Sequence, residues 1–438
     1  VQSAEWKATA RLLRRTGFGT TGSAVDSVFS FSTTGEYLER AFGVTESTDA
    51  GLAATPLPDL RITAPQAGGE ATPDVRSRFQ KKLRERRVEL VSWWLRRMVA
   101  VNEPAREKLA LLWHNHFATS LEKVRYPAEM AAQNEKIRTM CLGDFSSFAY
   151  AMLKDAAMVR WLDGDLNRAE SPNENLAREF LELFALGHGS GYSEGDVQEG
   201  ARALTGWSVK KDGSTTLVPA WQDTGPKQVL NVKGNLDAGG FRDAVLTHPH
   251  SARFIAKKLW RQLASDSPPT NAIIDRLLSA YGEEFNLHAL TKAILTDPEF
   301  NNAEAVVIIS PVEWLVGLHR AMNLPIDDAK KSSKAIATLK SLGHLPFYPP
   351  SVGGWAGGQA WLSAAAAGIR LRAAADLAKQ GDLSSIEETP ASHRLDAAGY
   401  LLGIGFWTDS TIRALKPLLR SPPALVAAAA NTPEYLVS

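Results

Sequence analysis

Cysteine is all but absent from this chain of 438 residues, where Cys141 stands alone. A lone thiol cannot close an internal disulfide and rules out a multi-cysteine zinc or iron–sulfur site. No run of eighteen apolar residues occurs, so nothing in the sequence is built to span a membrane. Charge of one sign is missing as well. Lys and Arg number 49 against 48 Asp and Glu, and the resulting +1 creates no net field toward nucleic acid or an anionic membrane. There is no Gly-x-Ser-x-Gly, no P-loop and no His-Glu-x-x-His. Gly187, Gly189 and Gly191 follow no predicted strand, so a dinucleotide fingerprint is unsupported. The first residue is Val1 rather than Met, which suggests a leader processed or trimmed away, and with it goes the sequence's own evidence for export, periplasmic or extracellular.

What is present is helix-forming and globular. A composition 44% hydrophobic and 22% charged is enough to build a packed core. Phe79, Leu83, Val91, Trp94, Leu95 and Met98 recur at helical spacing and predict a helix over 76–101. Its many basic residues read as a solvated face, because Glu85 and Glu89 are interleaved with them. Similar patterns predict helices near 104–117, 128–141, 144–161, 172–186, 193–205, 249–264 and 311–322. Alternation on either side of Asp212-Gly213 predicts a β-hairpin. The expected fold is mainly α: one large multi-helical domain over 1–438, with a surface loop at 46–74, a β-hairpin insertion at 207–236 and a Pro/Gly/Trp-rich loop at 345–362.

Oxygen-bearing side chains cluster between two of these helices. Asp163, Asp165, Asn167, Ser171 and Glu174 take positions 1, 3, 5, 9 and 12 of a loop, the ligand spacing of a calcium site. Against this, Arg168 stands where the tight turn wants Gly, and Ser171-Pro172-Asn173-Glu174 also spells a helix-capping box. In the next helix Glu174, Asn175, Arg178, Glu179 and Glu182 share a wedge of about 140°. That wedge faces bulk water or an internal cleft; in a cleft, carboxylates serve as acid and base or hold a cation. His114 and His116 lie about 200° apart on a helix and converge only if the helix ends between them. His248, ahead of Pro249, reads as a helix cap. Trp355 and Trp361 stand in a rigid-then-flexible loop that either lines a groove or packs over the core.

Longer blocks run through the chain in order. They include Leu12-Leu13-Arg14-Arg15-Thr16-Gly17-Phe18-Gly19, Trp113-His114-Asn115-His116-Phe117-Ala118-Thr119-Ser120 and Tyr192-Ser193-Glu194 leading to Thr205-Gly206-Trp207. Leu259-Trp260-Arg261, Ser310-Pro311-Val312-Glu313 and Pro349-Pro350 through Gly353-Gly354-Trp355 to Trp361 follow. In these blocks the chain resembles the bacterial family known as domain of unknown function 1800. The resemblance implies a large, mainly exported protein, frequently encoded beside a sulfatase-like family, and it implies no catalytic assignment. Two positions depart from the family's pattern: Gln222-Asp223 where it tends to have His-Asp, and Ser351 where it often shows Asn.

These readings combine into one expected cleft. Glu179, Glu182, His114 and His116 are its catalytic candidates, and Arg178, Asn175, Asp223, Trp207, Trp355 and Trp361 its substrate contacts. Asp163, Asp165, Asn167 and Glu174 are the candidate ligands of Ca2+. A hydrolase or lyase acting on a polar polymer such as a glycan suits carboxylates with aromatic walls. Two other classes stay open: a cation-stabilised scaffold docking a co-exported protein partner, and a redox metalloenzyme with four or more converging ligands.

Overall fold

The computed structural model describes residues 2–31, 33–63, 72–302 and 304–437. The fold is mainly α, as expected, and its buried apolar side chains form one continuous cluster from Trp6 to Tyr435. The hairpin expected at 207–236 is two hairpins. Trp207–Val209 pairs antiparallel with Thr215–Leu217, and Lys227–Val229 with Val232–Gly234. Between them a single 3-10 turn at Pro219–Trp221 redirects the chain, and Leu230 takes φ 53 at the second bend.

At the centre of the fold lies the helix Ala105–His116, buried on nearly every side. A helix without a wet face must satisfy its own polar side chains. Glu107 does so as a hub. Its Oε1 accepts from Arg97 Nε (2.9 Å) and Arg138 Nε (2.6 Å), its Oε2 from Trp94 Nε1 (2.8 Å) and Arg138 Nη2 (2.9 Å). One carboxylate thereby ties this helix to Pro73–Ala100 and Pro127–Met140.

Several boundaries differ from expectation for local reasons. The loop expected at 46–74 is anchored: buried Asp49 caps the short helix Ala50–Ala53 and also accepts from the N–H groups of Asn102 and Glu103. Residues 64–71 of that loop lie outside the described residues. The predicted 144–161 helix is two, Phe145–Leu153 and Ala156–Trp161, because Asp155 caps the second through the N–H of Met158. The helix expected from 172 starts at Asn175, and the capping box at Ser171 does not form; the Ser171 N–H instead bonds the Arg168 carbonyl. His248 does cap its helix, Pro249–Leu263, accepting through Nδ1 from the N–H of His250.

Burial pushes the Glu107 carboxyl up, but Arg138 and Arg97 outweigh it and hold the group below the usual carboxylate range. A depressed carboxyl stabilises the fold above its unfolded pKa, and that stability is lost as pH falls through the lower folded value. Glu107→Gln leaves the buried Arg97 guanidinium without a counter-charge and Arg138 with Glu135 alone, and should cost about 3–5 kcal/mol near pH 7. The gap to wild type should narrow below roughly pH 4. Urea midpoints across pH measure both; equal midpoints at neutral pH would contradict the hub.

Candidate functional site

The two histidines expected to converge do not. The helix runs through both, so their rings leave it on different sides. His114 Nε2 accepts from the N–H of Phe347 at 3.1 Å, which places its proton on Nδ1. His116 Nε2 faces the Phe184 carbonyl at 2.9 Å, and since a carbonyl only accepts, that nitrogen carries the proton. Burial draws His114 down to about 3 and His116 well below its ordinary value, where Lys258 adds to the effect. Both rings are therefore neutral at pH 7 and sealed from water.

His116 has a structural partner of an unusual kind. Residues Phe180–Ala185 wind as a π-helix, with the Leu186 N–H reaching back to the Leu181 carbonyl at 3.1 Å. The end of that wider turn leaves the carbonyls of Leu183 and Phe184 to side chains: Lys258 Nζ takes the first at 3.1 Å and His116 the second.

The wedge of acids is real but largely laced with ion pairs. Arg178 bridges Glu174 and Glu194, both at 2.8 Å, and Asn175 donates to Asp163 Oδ2 at 3.2 Å. Glu179 is half-buried, its carboxyl raised by burial and then by the neighbouring Glu182, which lies 3.7 Å from His188 Nδ1. The candidate calcium ligands are each engaged by the protein. Asp163, at φ 57, meets Lys123 at 2.7 Å; Asp165 lies 3.7 Å from Arg160; Glu174 pairs with Arg178. Buried Asn167 donates to the Ala201 carbonyl and accepts from the N–H of Asn173. A 3-10 turn at Gly164–Leu166 and the Arg168–Ser171 bridge shape this loop differently from a helix–loop–helix cation site. Among the described residues no three His, Cys, Asp or Glu side chains are grouped to hold a metal ion.

The hairpin residues also serve packing. Asp223 accepts from Arg202 Nε (2.7 Å) and Nη2 (3.2 Å) and from the N–H of Gly225, and Arg202 holds its carboxyl low. Trp221 lies under the Arg168 guanidinium at 3.9 Å, and Trp207 is 5.8 Å from Lys154 Nζ.

Of the expected contacts, Trp355 and Trp361 do line a cleft, though a different one. Its interior measures ≈ 70 Å³, room for a few waters or one small polar group. Lys108 and Asn115 of the central helix form one wall, and Ser310 and Glu313 at the start of Pro311–Ala321 form another. Arg261 and Asp266 stand on a third side. His344, Trp355 and Trp361 complete it, the imidazole stacked on Trp361 at 5.1 Å and edge-on to Trp355 at 4.8 Å.

Backbone constraints place the tryptophan loop there. Gly354 has φ 80, and a Cβ on it would sit 2.1 Å from Asn115 Oδ1 and 2.5 Å from the Asn115 carbonyl oxygen. Only glycine allows that approach. The same Asn115 Oδ1 accepts from the N–H of Trp355 at 2.8 Å. Upstream, Phe347 is held at φ 67, a strained conformation worth on the order of 1–3 kcal/mol, between His114 on its N–H and the N–H of Leu121 on its carbonyl. Downstream, Arg370 Nη1 donates to the Trp361 carbonyl at 2.8 Å.

Lys108 and Glu313 form an ion pair in the cleft wall, and Glu313 Oε2 also accepts from the N–H of Ser310 in a capping box. Burial draws the Lys108 amine down to about 7, with Arg15 adding to it, whereas contact with Glu313 favours the charged form. Burial likewise brings His344 to about 3, so this ring is neutral.

Four of the ordered sequence blocks, around 113–120, 259–261, 310–313 and 349–361, thus meet at one cleft. The family profile described as "Protein of unknown function (DUF1800)" matches residues 11–437. The chain belongs to the DUF1800 family. No curated protein and no solved structure matches it. In this DUF1800 protein, sequence reasoning missed Lys108, Asp266, Glu313 and His344 as cleft residues. Lys108 follows Arg106-Glu107 in a charged first turn that reads from sequence as solvated, Glu313 reads only as a cap, and nothing in its surroundings marks His344.

Gly354→Ala should detach the tryptophan loop. A fall of several degrees in melting temperature, with a red shift in tryptophan emission, is the expected result; an unaltered spectrum would show that the loop does not depend on this contact.

Proposed function

We propose that this DUF1800 protein is an exported enzyme that cleaves a polar polymer such as a glycan, by hydrolysis or elimination, in the tryptophan-lined cleft. The observation that carries this reading is the contact between a buried amine, Lys108, and a carboxylate, Glu313, in the wall of a cleft lined by indole rings. Either reaction requires one proton taken, from water or from a ring carbon, and one returned to the departing oxygen. A Lys–Glu pair in contact can hand a proton between its members, and burial lowers the amine toward the range of a base while Glu313 opposes it.

A second reading, recognition of the same ligand without turnover, is favoured by one observation: Glu313 is already committed to the capping box of its helix. Glu313→Gln separates the two readings, because glutamine keeps a capping box but cannot carry the proton.

On a panel of polysaccharides, assayed for reducing ends and for the ultraviolet absorbance of an unsaturated product, Lys108→Met and Glu313→Gln should each lower turnover about 10²–10⁴-fold. Wild-type turnover should rise with pH as Lys108 loses its proton, at a pH that burial lowers and Glu313 raises. Glu179→Gln, outside this cleft, should retain turnover. Loss in Glu179→Gln with retention in Lys108→Met would transfer the site to the acidic wedge, and full activity in both cleft variants would sink the proposal.

A further inference from the structure

The donors and acceptors of this cleft are unequally occupied. On the acceptor side, Glu313 is met by Lys108 and by the N–H of Ser310, Asn115 Oδ1 by the N–H of Trp355, and the Asp266 carboxylate, for which no ion pair is found among the described residues, acts on Arg15 by its charge. On the donor side, Trp355 Nε1 is buried and has no partner in the protein; His344 Nδ1 is likewise buried and unpartnered. Indole N–H can only donate, and leaving it buried and unpaired costs about 1–3 kcal/mol. Arg261 is exposed at the cleft, and no ion pair to it is found among the described residues. Its guanidinium presents a fork of donors matched to a planar acid group. Trp355 and His344 are each more than nine-tenths buried, so these are built walls rather than a chance surface cluster.

We infer that the cleft takes an acidic group, a carboxylate or a sulfate, carried by a sugar unit of the polymer, with Arg261 and Trp355 Nε1 as its donors. This rests on the reading of the cleft as a glycan site and names the class of glycan. Both acid groups offer anionic oxygens to fixed N–H donors, and the two differ in shape and in the number of oxygens they present.

Calorimetric titration of the intact chain with three trisaccharides decides it: one of galacturonate, one of sulfated galactose and one of neutral galactose. The acidic ligands, or one of them, should bind at least about 10-fold more tightly than the neutral one; which of them does identifies the acid. Arg261→Gln should bring the acidic ligand to the neutral level. Trp355→Phe, which keeps a ring and removes only the N–H donor, should weaken acidic binding alone. Arg261 lies on the surface, so its variant tests the idea even where Trp355→Phe unfolds. Equal binding of all three sugars overturns this inference and leaves the glycan reading standing. Binding of none overturns both. Acid preference that survives both substitutions places the acid site elsewhere and overturns it too.

Discussion

The contact between Gly354 and Asn115 governs the geometry on which the rest of this site depends. A backbone that approaches a helix closely enough to exclude a single Cβ carries its neighbours into fixed positions. Trp355 is then bonded to the same asparagine, and the loop is pinned on one side by His114 through Phe347 and on the other by Arg370 through Trp361. The strain at Phe347 persists because two hydrogen bonds and an aromatic environment over-determine it. A cleft between a buried helix and a strapped loop is thus preorganised rather than formed on binding.

The buried polar groups of the central helix divide the labour. Glu107 joins three helices through two guanidiniums and an indole, and His116 finishes a π-turn from outside its own element. His114 positions the loop. Lys108, ion-paired with Glu313, is the charged group of this helix that lines the cleft. Partners within the protein thereby separate the groups that hold the fold from the pair proposed to act on substrate.

Much of the fold was legible because helices announce themselves by local periodicity and by caps that need only neighbouring residues. The starts at Ser193, His248 and Ser310 are of this kind. What depends on partners far along the chain was not legible. Asp155 splits a helix because it also holds Gln133 and Lys136, and the π-turn needs donors from residues 116 and 258. The candidate site shows the same division. Trp355 and Trp361 were marked by composition, but the residues that face them, Lys108, Arg261, Asp266, Glu313 and His344, come from four separate segments that only the tertiary fold assembles. The two imidazoles part because two positions of one continuous helix cannot turn to the same side, and the oxygens at the calcium spacing meet cations and amides of the protein.

The most direct measurement of the central claim is a crystal structure of the chain soaked with an acidic oligosaccharide. The account predicts the acid group inside the cleft beside Arg261, with its sugar ring at the mouth and the scissile oxygen toward Lys108 and Glu313. A ligand ordered instead along Glu179 and Glu182, with the tryptophan loop closed over an empty cleft, would contradict it.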